Sequence, residues 1–287
     1  MKPPAFAYRR PDSVEHVLSE LSEHGSDAVL LAGGQSLIPL LNLRLSRPEV
    51  VIDLGHVAGL DDVLVDDHAV SVGALVRARA IERSAAVAAA NPVVVTAIRQ
   101  VAHPQIRNRT TIGGNIAHAD PSSELPAVLA ALDGSVRLRS QRGERDVVWS
   151  DYFQTVFTTS REPDELLVEV VFPRRAGWNY TFMEVARRQG DYPLAGLCVG
   201  VREVDGVIAE ARLAAIGVAD RPVRLSTIEA ELQGVSSGDQ AAITEIGRLV
   251  SSDVQPMDDL HGTSAYRVGL LGTLVRRTLN ELTQVAA

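Results

Sequence analysis

The chain has 287 residues, a formal net charge of −8, 46% hydrophobic residues, 22% charged residues and only 4% aromatic residues. This length predicts two or three compact domains with sizeable cores, and the composition excludes a low-complexity or disordered chain. Acidic and basic residues are interspersed, so there is no long positive face to neutralise a phosphate backbone, and nucleic acid is not an expected partner.

In chain order, Ser13 or Asp12 caps a predicted helix over 14–24, with Val14, Val17, Leu18 and Leu21 on one face and Gly25 as its stop. The run Ala28 to Leu31, the glycine turn Gly33-Gly34, a helical or coiled link over 37–45 and the run Val50 to Leu54 read as strand, turn, link and strand. Residues 63–72 read as a hairpin and 77–90 as a helix. Asn91 and Pro92 then form a cap and first-turn pair for a helix reaching Ala102. A polar loop is expected over 103–110, a second glycine turn at Gly113-Gly114, and a helix through Leu132 capped by Asp120-Pro121. Strands are expected near 136–138, 147–149 and 166–172, a boundary at 173–177, and further strands over 178–187, 195–204 and 207–218, the last two joined by the hairpin dipeptide Asp205-Gly206. Helices over 226–232, 239–251 and 264–284 complete an α+β architecture of three units, 1–58, 59–176 and 177–287.

Cys198 is the only cysteine, which excludes an internal disulfide and any iron–sulfur cluster held by cysteines of this chain alone. Met1 to Arg10 lacks the apolar stretch of a secretion signal, and no apolar run of about 18 residues is present, so a cytoplasmic protein without a membrane span is expected.

Two glycine pairs, each followed by a polar residue, carry the chemical signal: Gly33-Gly34-Gln35-Ser36 and Gly113-Gly114-Asn115. A glycine pair lets main-chain amides approach a ligand and form an anion-binding nest suited to a pyrophosphate, with Ser36 and Thr111 as further donors. Neither turn has the G-x-G-x-x-G spacing, and no phosphate loop of the G-x-x-x-x-G-K type occurs, which disfavours a Rossmann nicotinamide site and P-loop chemistry. Taken singly, each pair is also what an ordinary strand-to-helix turn requires.

Leu30-Leu31-Ala32-Gly33-Gly34-Gln35-Ser36-Leu37 with Asn42-Leu43-Arg44-Leu45, and the run from Gln105 through Thr111-Ile112-Gly113-Gly114-Asn115 to Pro121, resemble the FAD-binding medium subunit of molybdenum hydroxylases, the carbon monoxide dehydrogenase and xanthine dehydrogenase family of flavoprotein subunits. The resemblance spans nearly the whole chain. It implies a two-lobe FAD-binding domain of the vanillyl-alcohol-oxidase (PCMH) type, followed by a C-terminal antiparallel sheet with helices. It further implies non-covalent FAD between the lobes, with Ala32, Gly33, Gly34, Gln35 and Ser36 and with Thr111, Gly113, Gly114 and Asn115 around the pyrophosphate. Leu31, Leu37, Ala102 and Ile106 would line the cofactor, Glu124 would face a sugar hydroxyl, and Leu167 would pack on the adenine side. Arg187-Arg188-Gln189-Gly190-Asp191-Tyr192 resembles the family's loop beside the flavin ring, which makes Tyr192 the residue shielding the isoalloxazine; Pro193 departs from the small residue expected there.

His103 and His118 lack companions at ligand spacing, so no metal site is expected in this chain. The reading is an FAD-carrying redox subunit that takes electrons from the [2Fe–2S] clusters of a small partner and passes them to an external acceptor. The molybdenum cofactor would lie in a large partner, and the assembly would be a dimer of heterotrimers. Two alternatives are a stand-alone flavin oxidase or dehydrogenase of the same fold and a flavin-free assembly scaffold. Intact glycines argue against the scaffold, on the premise that bulkier residues would be tolerated there without a ligand.

Overall fold

The computed structural model describes residues 2–284. In the first unit, β1 (Ala7–Arg9), α1 (Val14–His24), β2 (Ala28–Leu31), α2 (Leu37–Asn42) and β3 (Val50–Asp53) build a parallel sheet of order β1-β3-β2. The central strand is buried on both faces along Val50-Val51-Ile52, as expected for a parallel sheet, and Val51 pairs with Tyr8 and Val29. Ser13 is the cap of α1, accepting from the His16 amide at 3.3 Å, and the four predicted apolar residues of α1 form its buried stripe.

The second unit contains β4 (Val63–Val65), β5 (Ala69–Gly73), α3 (Ala78–Arg83), α4 (Ala85–Ala90), α5 (Pro92–Gln100), α6 (Pro104–Arg107), α7 (Ile112–His118), α8 (Glu124–Ala131), β6 (Ser135–Ser140), β7 (Gly143–Val148), α9 (Trp149–Tyr152), the short pair β8 (Phe153–Thr155) and β9 (Thr158–Thr159), and β10 (Leu166–Pro173). Its five-stranded antiparallel sheet has the order β4-β5-β10-β6-β7, so the last strand in sequence is the central one, with Val170 between Val72 and Val136.

Several local expectations are corrected here. The helix expected over 77–90 is two helices, because Ser84 leaves the helical region and its hydroxyl caps α4 at Val87. The Asn91 side chain does not cap α5; it donates to the Pro173 carbonyl at 3.2 Å and ties that helix to the end of β10. The expected polar loop contains α6, started by Pro104. The helix expected from Asp120-Pro121 begins only at Glu124, because the Asp120 carboxylate is engaged in a local turn with the Ser122 amide at 2.9 Å. Trp149, expected at the end of a strand, starts α9.

The third unit is an antiparallel sheet of β11 (Trp178–Val185), β12 (Ala195–Val204), β13 (Val207–Ile216) and β14 (Val223–Arg224), backed by α10 (Ser226–Leu232), α11 (Gln240–Ile246) with a following 3-10 turn, and α12 (Ser264–Gln284). Asp205 and Gly206, at φ 52° and 75°, make the expected tight hairpin. The sheet is apolar on both faces, and strand periodicity assigns them. Met183, Val185, Leu197 and Val199 pack under the helices, while Tyr180, Phe182, Cys198, Ala214 and Ile216 join the core of the second unit. Helix α8, buried at every residue, lies between these layers, which explains why its sequence shows little amphipathic pattern.

Candidate functional site

The chain leaves β2 through Ala32 and turns at Gly34, whose φ of +74° belongs to the left-handed region open to glycine. The Gln35 side chain braces the bend by donating to the Gly33 carbonyl at 3.1 Å. Among the described residues, no backbone or side-chain acceptor receives the amides of Gly33, Gly34, Gln35, Ser36 or Leu37. Consecutive free donors on a bend form a nest for an anion.

The second glycine pair differs from its expected form. Gly113 and Gly114 are not a turn but lie in the first turn of α7, which Thr111 caps with its hydroxyl on the Gly114 amide at 3.1 Å. The Gly113 amide donates to Ala74 at 3.0 Å and the Asn115 amide to Thr111 at 3.0 Å, so these donors are used inside the fold. The glycines answer to packing. A Cβ on Gly113 would lie 2.5 Å from the Ala74 Cβ, and one on Gly114 would lie 2.6 Å from the Thr111 hydroxyl. Gly33 is also close-packed, since a Cβ there would overlap the Arg109 carbonyl and lie 3.1 Å from the Thr110 Cα. The premise that larger residues would be tolerated without a ligand is therefore incorrect: three of these four glycines are close-packed, Gly33 where the two lobes touch and Gly113 and Gly114 inside the second lobe.

Between the two segments lies a cavity of about 480 Å³. Its wall brings together Ala32, Gly33, Gly34, Gln35, Ser36, Leu37, Ala102, Ile106, Thr111, Gly113, Gly114, Asn115, Glu124, Leu167 and Tyr192. Leu31 is the expected residue that does not reach it; its side chain lies beneath the bend, 3.3 Å from where a Gly34 Cβ would stand, while Leu30 faces the cavity. Ala102 holds the strained φ of 43°, and buried Arg107 secures that bend by donating to the carbonyls of Val101 and Ala102 at 2.9 and 2.8 Å and to the Glu82 carboxylate at 3.0 Å. Arg107 is thus a structural residue of the site.

The third unit closes the mouth. Gly190, at φ +86°, packs so closely on Ala102 and His103 that a Cβ would meet the His103 ring at 2.8 Å. Buried Arg267 holds the following residues by donating to the carbonyls of Leu194 and Gly217 at 2.7 and 2.9 Å. Tyr192 then stands at the opening, 67% exposed.

Comparison with known proteins identifies this arrangement. Residues 4–175 match the family described as the FAD binding domain in molybdopterin dehydrogenase, and residues 180–282 match the CO dehydrogenase flavoprotein C-terminal domain. The chain belongs to the FAD-binding medium subunits of molybdenum hydroxylases. It is 40% identical over 284 residues to the nicotine 6-hydroxylase medium subunit of Paenarthrobacter nicotinovorans, covering 98% of each chain. It is 32% identical over 283 residues to the carbon monoxide dehydrogenase medium chain of Hydrogenophaga pseudoflava, covering 98% of each. Among solved structures, quinoline 2-oxidoreductase from Pseudomonas putida 86 superposes with a TM-score of 0.95 at 34% identity, covering 100% of this chain and 99% of that one.

The medium subunit is an oxidoreductase component whose cofactor is FAD, and its α+β fold is that of these relatives. The cavity suits such a dinucleotide: free amides over Gly33–Leu37 complement a diphosphate, and Leu37, Ile106 and Leu167 offer apolar wall. No helix of the described residues is long and apolar enough to cross a membrane.

Four polar groups bear on the site beyond the residues assigned to it from the sequence, among them Asp120, which the sequence places beside the second glycine pair. Ser123 donates to the Asn115 side-chain carbonyl at 2.9 Å and so turns the amide end of Asn115 elsewhere. Arg161, the wall's only arginine, is anchored on the carbonyls of Glu162 and Glu165; no sequence signal marks it. Asp120 adds a carboxylate beside His118, whose pKa is lowered by burial against that carboxylate's opposing pull and whose ring stacks on Phe157 at 4.9 Å. Glu184 is the fourth. Burial pushes it up to about 7, and burial followed by the charge of Glu184 pushes Glu124 up to about 8. Glu184 shares strand parity with Tyr180 and Phe182, the signal that would have placed it inside.

Proposed function

We propose that this medium subunit holds FAD across the two lobes, receives electrons from the [2Fe–2S] clusters of a small partner subunit and delivers them to an external acceptor. Substrate oxidation would take place at the molybdenum cofactor of a large partner, in a dimer of heterotrimers located in the cytoplasm. The observation that carries this reading is the run of five free amides at the cavity wall, on a chain whose single buried cysteine leaves cluster binding to another polypeptide.

FAD supplies the two-electron redox chemistry. The residues of this chain bind and orient it. Amides of Gly33 to Leu37, with the Ser36 hydroxyl, would hold the diphosphate, and Thr111, Gly113, Gly114 and Asn115 would form the opposite wall. Leu37, Ala102 and Ile106 would contact the cofactor, Leu167 would pack on the adenine side, and Glu124 would meet a sugar hydroxyl. Tyr192, carried over the mouth by the loop at Gly190, would shield the flavin ring and control what reaches it. The units 1–58, 59–176 and 177–287 would act as two cofactor lobes and a lid-bearing domain.

Purification of the complex from its native source tests this directly. Three chains carrying flavin, iron–sulfur and molybdenum are expected, with substrate bleaching the flavin absorption only when the partners are present. Substrate reduction of the flavin in this chain alone would instead favour a stand-alone flavin dehydrogenase.

A further inference from the structure

The Arg109 carbonyl lies where the two lobes touch. Gly33 of the first lobe packs on it, and a Cβ there would overlap that carbonyl and lie 3.1 Å from the Thr110 Cα. The Arg77 guanidinium donates to the same oxygen through Nη1, and among the described residues no other group donates to it. Main-chain pairing fixes this contact inside the second lobe. The amides of Ala78 and Ile112 donate to the carbonyls of Thr110 and Val76, each at 2.9 Å, so Arg77 stands opposite Thr111 in a short antiparallel bridge. Arg77 is half-buried, and among the described residues neither it nor Arg109 forms a salt bridge. The first-lobe carboxylate whose charge bears on Arg77, that of Asp53 at the end of β3, is engaged by the Tyr8 hydroxyl at 2.5 Å and the Gly55 amide at 2.9 Å. The guanidinium therefore serves a main-chain oxygen rather than an acid.

That oxygen is an acceptor beside a bend whose amides, from Gly33 to Leu37, have no acceptor among the described residues. A main-chain carbonyl without a donor pairs with a donor in reach, and pairing with the bend would use the amides that an anion needs. We infer that Arg77 is a positioning residue of the FAD site: by occupying the Arg109 carbonyl where Gly33 packs on it, the guanidinium keeps that oxygen off the bend and leaves the amides of Gly33 to Leu37 free for the diphosphate. Arg77 is not part of the cavity wall and acts through the contact between Arg109 and Gly33. This inference rests on the FAD reading above and gives a residue of the second lobe control over the donors of the first. A lysine at this position keeps the charge and a donor, whereas a methionine keeps the apolar stem and loses both.

Hydrogen exchange and FAD titration of the full chain test it together. In the free Arg77→Met chain the amides of Gly33 and Gly34 should exchange about tenfold more slowly than in wild type, as the released carbonyl takes them up. Its FAD affinity, followed by flavin fluorescence, should fall about tenfold, the worth of one hydrogen bond. Arg77→Lys should bring both readouts back to within about threefold of wild type, a rescue by the donor that a space-filling role would not give. Unchanged exchange at Gly33 and Gly34 in the methionine variant, or a lysine variant no better than methionine, overturns the inference while FAD binding by wild type stands. Failure of wild type to bind FAD overturns the cofactor reading and this inference together, and is told apart from those results because the exchange is measured without FAD.

Discussion

Gly33-Gly34 and Gly113-Gly114 are written alike in the sequence, each followed by an amide side chain, yet the fold uses them differently. The first pair opens a bend whose amides, from Gly33 to Leu37, have no acceptor among the described residues. The second is wound into α7, with its amides bonded to Thr111 and Ala74 and its missing side chains making room for neighbouring chain. Two glycines before a polar residue therefore signal close main-chain approach, and only the hydrogen-bond inventory tells whether a ligand or the protein itself occupies that space.

The difference can be broken by substitution. Gly113→Ala forces a methyl group into Ala74 and should destabilise the chain by about 3 kcal/mol, visible in denaturant unfolding with or without FAD. Unchanged stability would show that the second lobe has slack at that contact. Arg107→Ala comes next. It leaves the carbonyls of Val101 and Ala102 without a donor and Glu82 with Arg79 alone, at about 2 kcal/mol, and it should weaken FAD binding as the Ala102 bend relaxes.

Gly34→Ala sharpens the contrast, since its cost is the left-handed conformation rather than a main-chain overlap. Stability should fall by about 1 kcal/mol, while FAD affinity falls further as the amides turn away from one another. A loss confined to stability would contradict the role of this bend. Tyr192→Ala has the smallest expected effect on the fold, within about 0.5 kcal/mol for so exposed a residue, and should alter the reoxidation rate of reduced flavin more than FAD content. An unchanged reoxidation rate would remove the shielding role.

Much of this molecule is legible in the amino-acid sequence where one local rule dominates. The stripe of α1 with its Ser13 cap, and the Asp205-Gly206 hairpin, follow from neighbours in the chain. The failures occur where distant residues decide. Asn91 is drawn from its expected cap to Pro173, Ser84 divides one apolar stretch into two helices, and Asp120-Pro121 is passed over as a helix start because the Asp120 carboxylate serves a local turn. About half of the cavity wall is recovered from the sequence, with Leu31 outside it, while Leu54, Leu75 and Leu166 reach it from strands and loops that no motif marks. Glu184 escaped notice because its surroundings depend on its sheet face packing against the core of the second unit.

Amide hydrogen exchange resolved to single residues, measured on the full chain with and without FAD, tests the central claim most directly. The amides of Gly33 to Leu37 should exchange readily in the free chain and become protected on binding, while those of Gly113 and Gly114 should be protected throughout. Protection appearing elsewhere, with the 33–37 amides still exchanging freely under saturating FAD, would contradict it.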